Sequence, residues 1–195
     1  MKKLLITGFD PFGGEAVNPS WEAVVRLDDS IGSYLLTKLQ LPTLFSKAAA
    51  VLLETAATLK PDVILCIGQA GGRKGITPEV IGINLREARI PDNGGNQPLN
   101  QPVLFDGPAA YFATVPVWDM VAAMQMDGIP CGLSYSAGTF VCNDVLYSVL
   151  HHYDGTATRA GFIHVPYLPE QAKENQPSLP LEEIVRGLTL AIKAL

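Results

Sequence analysis

The chain has 195 residues, of which 48% are hydrophobic and only 17% charged, so it can bury one sizeable core and is too apolar to be disordered. A formal charge of −5, from 14 basic and 19 acidic residues without long runs of either sign, argues against nucleic acid and anionic membranes as partners. The first apolar run is too short for a signal peptide, and three cysteines without a C-x-x-C pair are typical of a reducing compartment, so we expect one cytoplasmic domain over residues 1–195.

Short apolar runs alternate along the chain with segments of helical periodicity. The predicted strands are Lys3 to Thr7, Tyr34 to Leu41, Asp62 to Gly68, Val80 to Leu85 and Ala160 to Val165. The predicted helices are Pro19 to Leu27 with Asn18 as cap, Phe45 to Leu59, Val117 to Met126 and Leu181 to Leu195. This alternation predicts one α/β domain with a largely parallel sheet. In the third helix we expect Trp118, Val121 and one of the two following methionines to face the core.

Three connections stand out because they lack regular periodicity. They are G-F-D-P-F-G-G at 8–14, Q-A-G-G-R-K-G at 69–75, and the long segment 86–116. The first two follow predicted strands, which is where sites usually lie in an open α/β sheet, but neither fits a phosphate-binding motif. An unstructured connection as long as the third is usually a functional lid or an interface.

The main functional prediction comes from residues 129–147. Their sequence is I-P-C-G-L-S-Y-S-A-G-T-F-V-C-N-D-V-L-Y. It predicts a short strand from Cys131 to Tyr135, then a turn and a helix capped by Thr139, with Cys142 in the first helical turn. Free backbone N–H groups and the positive end of the helix dipole lower the pKa of a thiol there and can hold an oxyanion. The alternative is that Cys142 is an ordinary buried cysteine.

A histidine base would distinguish these two readings of Cys142. His164 lies near the carboxyl end of the last predicted strand, where it can reach the same crevice as the start of a neighbouring helix. From the residues alone, the carboxylate that orients the imidazole remains open among Asp10, Glu15, Glu79, Asp119 and Asp144. Neither a zinc-ligand spacing nor the serine motif G-x-S-x-G occurs, so we expect no metal and no serine nucleophile.

Two other classes of function remain open from the residues alone. A nucleoside phosphorylase-like enzyme would use a similar sheet, with Arg73, Arg86 or Arg89 holding phosphate. A non-catalytic ligand-binding protein would use the same loops without turnover. Phosphate dependence and indifference to thiol alkylation would favour the phosphorylase.

Seven segments together resemble the pyroglutamyl peptidase I family of cysteine peptidases, also called pyrrolidone-carboxylate peptidases. They are G-F-D-P-F-G-G, N-P-S-W-E, G-Q-A-G-G-R, I-T-P-E, E-A-R-I-P-D-N, S-A-G-T-F-V-C-N and G-F-I-H-V-P-Y-L-P-E-Q, in order from Leu5 to Gln171. The resemblance implies hydrolysis of an N-terminal pyroglutamyl residue from peptides through a thioacyl-enzyme, without a cofactor. It also implies a three-layer sandwich, with helices on both faces of a twisted mixed sheet, and a homotetramer.

The same resemblance assigns roles to individual residues. Cys142, His164 and Glu79 correspond to the catalytic triad, and Arg89 with the Cys142 backbone N–H to the oxyanion site. The residues that line or support the pyroglutamyl pocket would be Phe9, Phe12, Gln69, Ile90, Phe140 and Val141. Two features depart from the family: Val80 replaces an arginine that often follows the glutamate, and the C-terminal end is short.

Overall fold

A six-stranded sheet forms the centre of the computed structural model, which describes residues 1–195. The strands are β1 (Lys2–Phe9), β2 (Ser30–Ile31), β3 (Tyr34–Leu41), β4 (Val63–Gln69), β5 (Thr77–Pro78), β6 (Ile81–Ile83), β7 (Ala110–Phe112) and β8 (Arg159–Val165). The helices are α1 (Pro19–Arg26), α2 (Lys47–Leu59), α3 (Val117–Met126), α4 (Val141–His152) and α5 (Leu181–Lys193). The main sheet has the order β2-β3-β1-β4-β8-β5. Its four central strands are parallel, and β2 and β5 at the edges are antiparallel to their neighbours.

The two faces of this sheet are covered by different helices. Side chains alternate between the faces of a strand, so neighbouring residues of β8 enter different cores. Ile163 and Val165 belong to the core shared with α1, α3 and α5, whereas Ala160 and Phe162 belong to the core shared with α2 and α4. The same alternation directs His164 toward the layer that contains α4.

The fold class predicted from the sequence is confirmed, and several elements have the predicted bounds. β3 and α3 coincide with their predicted ranges, and β1, α1, α2, β4, α4, β8 and α5 differ from theirs by a few residues at most. Asn18 caps α1 as expected, because its side chain accepts a hydrogen bond from the Ser20 N–H at 3.1 Å. No helix has both the length and the apolar character needed to cross a bilayer.

Two predicted strands are wrong in extent. Cys131 to Tyr135 forms no strand and contributes only isolated bridges, Ile76 with Cys131 and Glu79 with Ser134. The predicted strand Val80 to Leu85 is reduced to β6, which pairs with β7 in a separate two-stranded sheet. Both pairings join segments far apart in sequence, which local β-propensity does not reveal.

The predicted inner face of α3 is also partly wrong. Trp118, expected inside, is 59% exposed, whereas Val121 is buried and Met124 is the buried one of the two methionines, as expected. Val117 and Met120 complete the buried stripe in place of Trp118. The large exposed side chains are left on the outer surface of the helix.

Candidate active site

A cavity of about 790 Å³ opens at the carboxyl ends of the central parallel strands. Phe9 ends β1, Gln69 ends β4, and His164 is the penultimate residue of β8, and all three line this cavity. The start of α4 contributes Cys142 to the same wall. The sequence prediction that the thiol and the imidazole meet at one crevice therefore agrees with the geometry.

Cys142 is the second residue of α4, in its first turn as predicted. Its backbone N–H and that of Asn143 donate to no backbone oxygen, which is usual for the first turn of a helix. The predicted cap is wrong, however: Phe140 occupies the N-cap position, and the Thr139 hydroxyl donates instead to the Glu87 carbonyl at 2.7 Å. The free N–H groups next to the sulfur remain available to a ligand.

Gly68 makes room for the sulfur beside the imidazole. In the β4–β8 register Gly68 lies opposite His164 on the neighbouring strand. A Cβ atom added to Gly68 would lie 2.9 Å from the Cys142 Sγ and 2.6 Å from the Phe162 ring. The sulfur therefore sits directly over a strand position that only glycine can occupy without displacing it, next to the strand that carries His164.

Glu79 orients the imidazole of His164 through a hydrogen bond to the ring nitrogen Nδ1. Its Oε1 lies 2.7 Å from His164 Nδ1, and the Glu79 side chain has no exposed surface. Since an ionised carboxylate can only accept, Nδ1 carries the proton and Nε2 is left as the basic nitrogen. Of the five carboxylates left open by the sequence, the structure places only Glu79 against His164.

The other four carboxylates lie elsewhere. Asp144 forms an ion pair with Arg86 and accepts from the Ser46 N–H, and Asp10 accepts from the Thr43 N–H at 2.7 Å. Glu15 and Asp119 are exposed on the surface. None of these four contacts His164.

Arg73 is a site residue whose place beside Glu79 the sequence analysis missed. One guanidinium nitrogen donates to Glu79 Oε1 at 2.7 Å and to the Thr77 hydroxyl, and the other donates to the Ser136 carbonyl at 3.0 Å. Its only signal in the sequence is its position in a loop after a strand, which makes it one of the three candidate phosphate ligands. Because Arg73 and Arg86 are both paired with carboxylates, two of the three arginines proposed for phosphate are already engaged.

The Cys142 thiol differs from the expectation of a lowered pKa. Burial first, and then the Glu79 carboxylate and the nearby Cys66, raise the pKa of Cys142 to about 12, against smaller lowering effects of Arg73 and of the Cys142 backbone N–H. The resting sulfur is therefore protonated at neutral pH. A base must take its proton as it attacks.

His164 and Glu79 have the protonation states that such a base requires. Burial, together with the charge of Arg73, lowers the pKa of His164 below its ordinary value of 6.5, although the hydrogen bond and charge of Glu79 act to raise it. For Glu79, burial acts to raise the pKa, but His164, Ser134 and Arg73 together bring it below its ordinary value. The resting site therefore holds a neutral imidazole beside an ionised carboxylate.

The residues predicted for the pocket and the oxyanion site all border the cavity. These are Phe9, Phe12, Gln69, Arg89, Ile90, Phe140 and Val141. The rings of Phe12 and Phe140 lie 6.0 Å apart between centroids, and Phe45 meets Phe140 edge-on at 5.2 Å. Arg89 is exposed, so its guanidinium is free to approach a bound ligand.

Asn143 ties the segment that leads to Arg89 to the start of α4. Its side chain accepts from the Ile83 N–H at 3.0 Å and donates to the carbonyls of Ile83 and Leu85. Glu87 adds a backbone hydrogen bond to the Thr139 carbonyl. The first part of the segment predicted to be unstructured is thus fixed relative to the sulfur.

No group of three or more His, Cys, Asp or Glu side chains is arranged to hold a metal ion.

Comparison with known proteins gives consistent matches over almost the whole chain. The family model described as pyroglutamyl peptidase matches residues 2–195. The pyrrolidone-carboxylate peptidase of Bacillus licheniformis is 52% identical over 194 residues, covering 97% of this chain and 90% of that protein. The protein of the same name from Bacillus cereus is 48% identical over 198 residues, covering 99% of this chain and 92% of that protein.

Solved structures agree with the sequence matches. The crystal structure of pyroglutamyl peptidase I from Bacillus amyloliquefaciens has a TM-score of 0.96 and 49% identity, covering all of this chain and 96% of that one. The pyrrolidone carboxyl peptidase from Thermococcus litoralis has a TM-score of 0.95 and 39% identity, covering all of this chain and 93% of that one.

Proposed function

Because the chain belongs to the pyroglutamyl peptidase family, we propose that Cys142, His164 and Glu79 carry out the reaction of this cysteine peptidase. The reaction is hydrolysis of the bond between an N-terminal pyroglutamyl residue and the rest of a peptide. The observation that carries the residue assignment is the Glu79–His164 hydrogen bond at 2.7 Å beside a cavity wall that also holds the Cys142 sulfur.

The first half of the reaction forms the thioacyl-enzyme. His164 Nε2 takes the thiol proton while Sγ attacks the pyroglutamyl carbonyl carbon. Glu79 stabilises the imidazolium that results, because its carboxylate is buried and already bonded to Nδ1. The imidazolium then gives its proton to the leaving amine, and the shortened peptide departs.

The second half releases pyroglutamate. Water enters the cavity, gives a proton to His164 and attacks the thioester, and the thiol recovers its proton when the C–S bond breaks. In both halves the developing oxyanion is held by the free N–H of Cys142 at the start of α4, with Arg89 approaching from the rim. The N–H groups act without reorganisation because the helix fixes them.

The shape of the pocket suits a neutral lactam ring. Phe12 and Phe140 give apolar walls, and Gln69 supplies a neutral polar group for the ring amide. Open-chain glutamate would carry a free ammonium and a carboxylate into this space, and burying them unpaired is costly. The pocket therefore selects the cyclised residue.

A matched set of three chromogenic amides tests this function. We expect rapid hydrolysis of the pyroglutamyl amide, and far slower hydrolysis of the prolyl and glutamyl amides because each brings a charged amine. Equal rates on all three amides, or pyroglutamyl hydrolysis that survives Cys142→Ser, would contradict the proposed function.

We also infer that the protein works in the cytoplasm as a homotetramer. Three free cysteines are consistent with a reducing compartment. Several large apolar side chains are exposed, including Phe105 at 91%, Phe112 at 70% and Trp118 at 59%, and subunit contacts would cover such side chains. Light scattering coupled to size exclusion tests the tetramer, and a monomer at micromolar concentration would contradict it.

A further inference from the structure

Glu79 Oε1 accepts hydrogen bonds from two cationic or potentially cationic side chains at once. His164 Nδ1 lies at 2.7 Å and an Arg73 guanidinium nitrogen also lies at 2.7 Å. The other carboxylate oxygen, Oε2, is buried without a hydrogen-bond partner. Arg73 is the only ion-pair partner of the carboxylate apart from the histidine.

Arg73 also connects the carboxylate to the segment that leads into α4. Its second guanidinium nitrogen donates to the Ser136 carbonyl at 3.0 Å, six residues before Cys142. The side chain is 24% exposed and lines the cavity, so it spans from the buried carboxylate to the cavity surface. A planar guanidinium can make these contacts in fixed directions, which an ammonium cannot.

We propose that Arg73 is a positioning residue of the hydrolytic site: it fixes Glu79 against His164 and joins them to the segment before Cys142. This inference rests on the proposed function. It assigns Arg73 no contact with the reacting atoms.

The charge of Arg73 acts on the two reacting groups in opposite directions. A nearby positive charge favours a thiolate and disfavours an imidazolium, so the transfer of a proton from Cys142 to His164 is nearly unaffected. When His164 takes up a proton from solvent, an imidazolium forms without a thiolate. The positive charge of Arg73 then disfavours the protonated ring, and nothing offsets this effect. Burial is the main cause of the low pKa of His164, and the charge of Arg73 adds to it, so loss of that charge should move the acidic limit of activity.

Every charged or titratable group that faces His164 is consistent with this role. Glu79 follows β5 and attracts a proton to the ring, whereas Arg73, from the loop after β4, opposes it. Cys142 comes from α4 and is protonated at rest. Further out on the cavity wall stand Glu87, Arg89 and Tyr167.

The test compares Arg73→Gln, Arg73→Lys and the control Lys74→Gln. Lys74 is the exposed neighbour of Arg73 in the same loop and makes no hydrogen bond or ion pair. The pH profile of kcat/KM reports ionisations of the free enzyme. For Arg73→Gln we expect the acidic limb of this profile to move to higher pH, because a like charge near the imidazolium is removed.

Arg73→Lys separates charge from geometry. It keeps the positive charge, so its acidic limb should stay near that of the wild type, while kcat falls because the contact with Ser136 is lost. Lys74→Gln should change neither the acidic limb of the pH profile nor kcat. If Arg73→Gln lowers kcat with an unmoved acidic limb, Arg73 is merely structural and the proposal is overturned.

A readout without substrate distinguishes this proposal from the proposed function. The chain has three histidines, and His151 and His152 lie at the exposed end of α4, so a histidine NMR titration can resolve His164. The midpoint for His164 should rise in Arg73→Gln and not in Arg73→Lys. An unmoved midpoint in folded Arg73→Gln, or equal rises in both variants, would overturn the proposal. A wild type without pyroglutamyl hydrolysis would instead overturn the proposed function. If Arg73→Gln does not fold, a raised midpoint in Arg73→Lys overturns the proposal by itself.

Discussion

Two regions of the molecule each hold a thiol whose pKa burial raises to about 12, yet only one of them faces a base. Cys66 lies within β4 in the core shared with α2 and α4, where only the Thr7 hydroxyl acts to lower the pKa that burial raises. Cys142 lies at the start of α4 on the cavity wall, beside the strand that carries His164. The comparison teaches that the pKa of the resting thiol does not distinguish the reactive cysteine from the unreactive one. Cys142 is distinguished by its exposure to the cavity, by the free N–H groups beside it and by a nearby base.

The largest effect should come from changing sulfur to oxygen in each region. Cys142→Ser is expected to lower kcat/KM on a pyroglutamyl amide by at least about 10³-fold, because the nucleophile of a triad acts as a unit with its base. Cys66→Ser makes the same chemical change in the core and should leave kcat/KM near the wild-type value. A similar loss in both variants would show that the two regions do not differ in the way described.

The second prediction removes the charge behind the base. Glu79→Gln keeps the size of the side chain but cannot stabilise an imidazolium, so kcat should fall by about 10²- to 10⁴-fold with little change in KM. Glu54→Gln, on the exposed surface of α2, is the control. A loss that appears in KM alone would indicate that Glu79 serves binding and not the proton transfer.

The third prediction disturbs the space beneath the reactive sulfur. A Cβ at position 68 would lie 2.9 Å from the Cys142 Sγ, so Gly68→Ala must displace the sulfur or the Phe162 ring. Activity should fall by about 10²-fold, since a small misplacement of reacting atoms is costly. Gly132→Ala adds a methyl group where no atom lies within 4 Å and should leave activity unchanged. Full activity in Gly68→Ala would contradict the close approach.

The smallest effect concerns stability at alkaline pH, where the two thiols should behave alike. Both have a folded-state pKa of about 12 against an ordinary value of 9.0. Between these values the unfolded chain loses its thiol protons first, so the free energy of unfolding falls as pH rises. The slope is at most about 1.4 kcal/mol per pH unit for each thiol.

Cys66→Ser should remove one of these two contributions. Urea unfolding at several pH values from neutral to about 11 would show a shallower decline than in the wild type. An identical slope in both proteins would mean that Cys66 ionises in the folded state as readily as in the unfolded chain.

Much of this geometry could be predicted from the sequence, because it depends on local pattern. Buried strands such as β3 and β4 appear as apolar runs, and the position of Cys142 in the first turn of α4 follows from the periodicity after it. The alternation along β8 also fixes which face His164 occupies. These features need no knowledge of distant partners.

What the sequence did not show depends on contacts between distant segments. Arg73 meets Glu79 and Ser136 only after β5 folds back against β8, so its loop alone gave no reason to prefer it over Arg86. The pKa of Cys142 was expected in the wrong direction, because the helix N-terminus was visible in the sequence but the burial around the sulfur was not. Solvation at a site is set by the whole fold.

The most direct test of the central claim is to trap the acyl group on the sulfur. The wild type is mixed with an activated pyroglutamyl ester, quenched in acid within the first turnover, digested and mapped by mass spectrometry. The account predicts a pyroglutamyl thioester on Cys142, absent from Cys142→Ser and present in Cys66→Ser. Turnover of the ester with the acyl group on another residue, or an adduct that persists in Cys142→Ser, would contradict it.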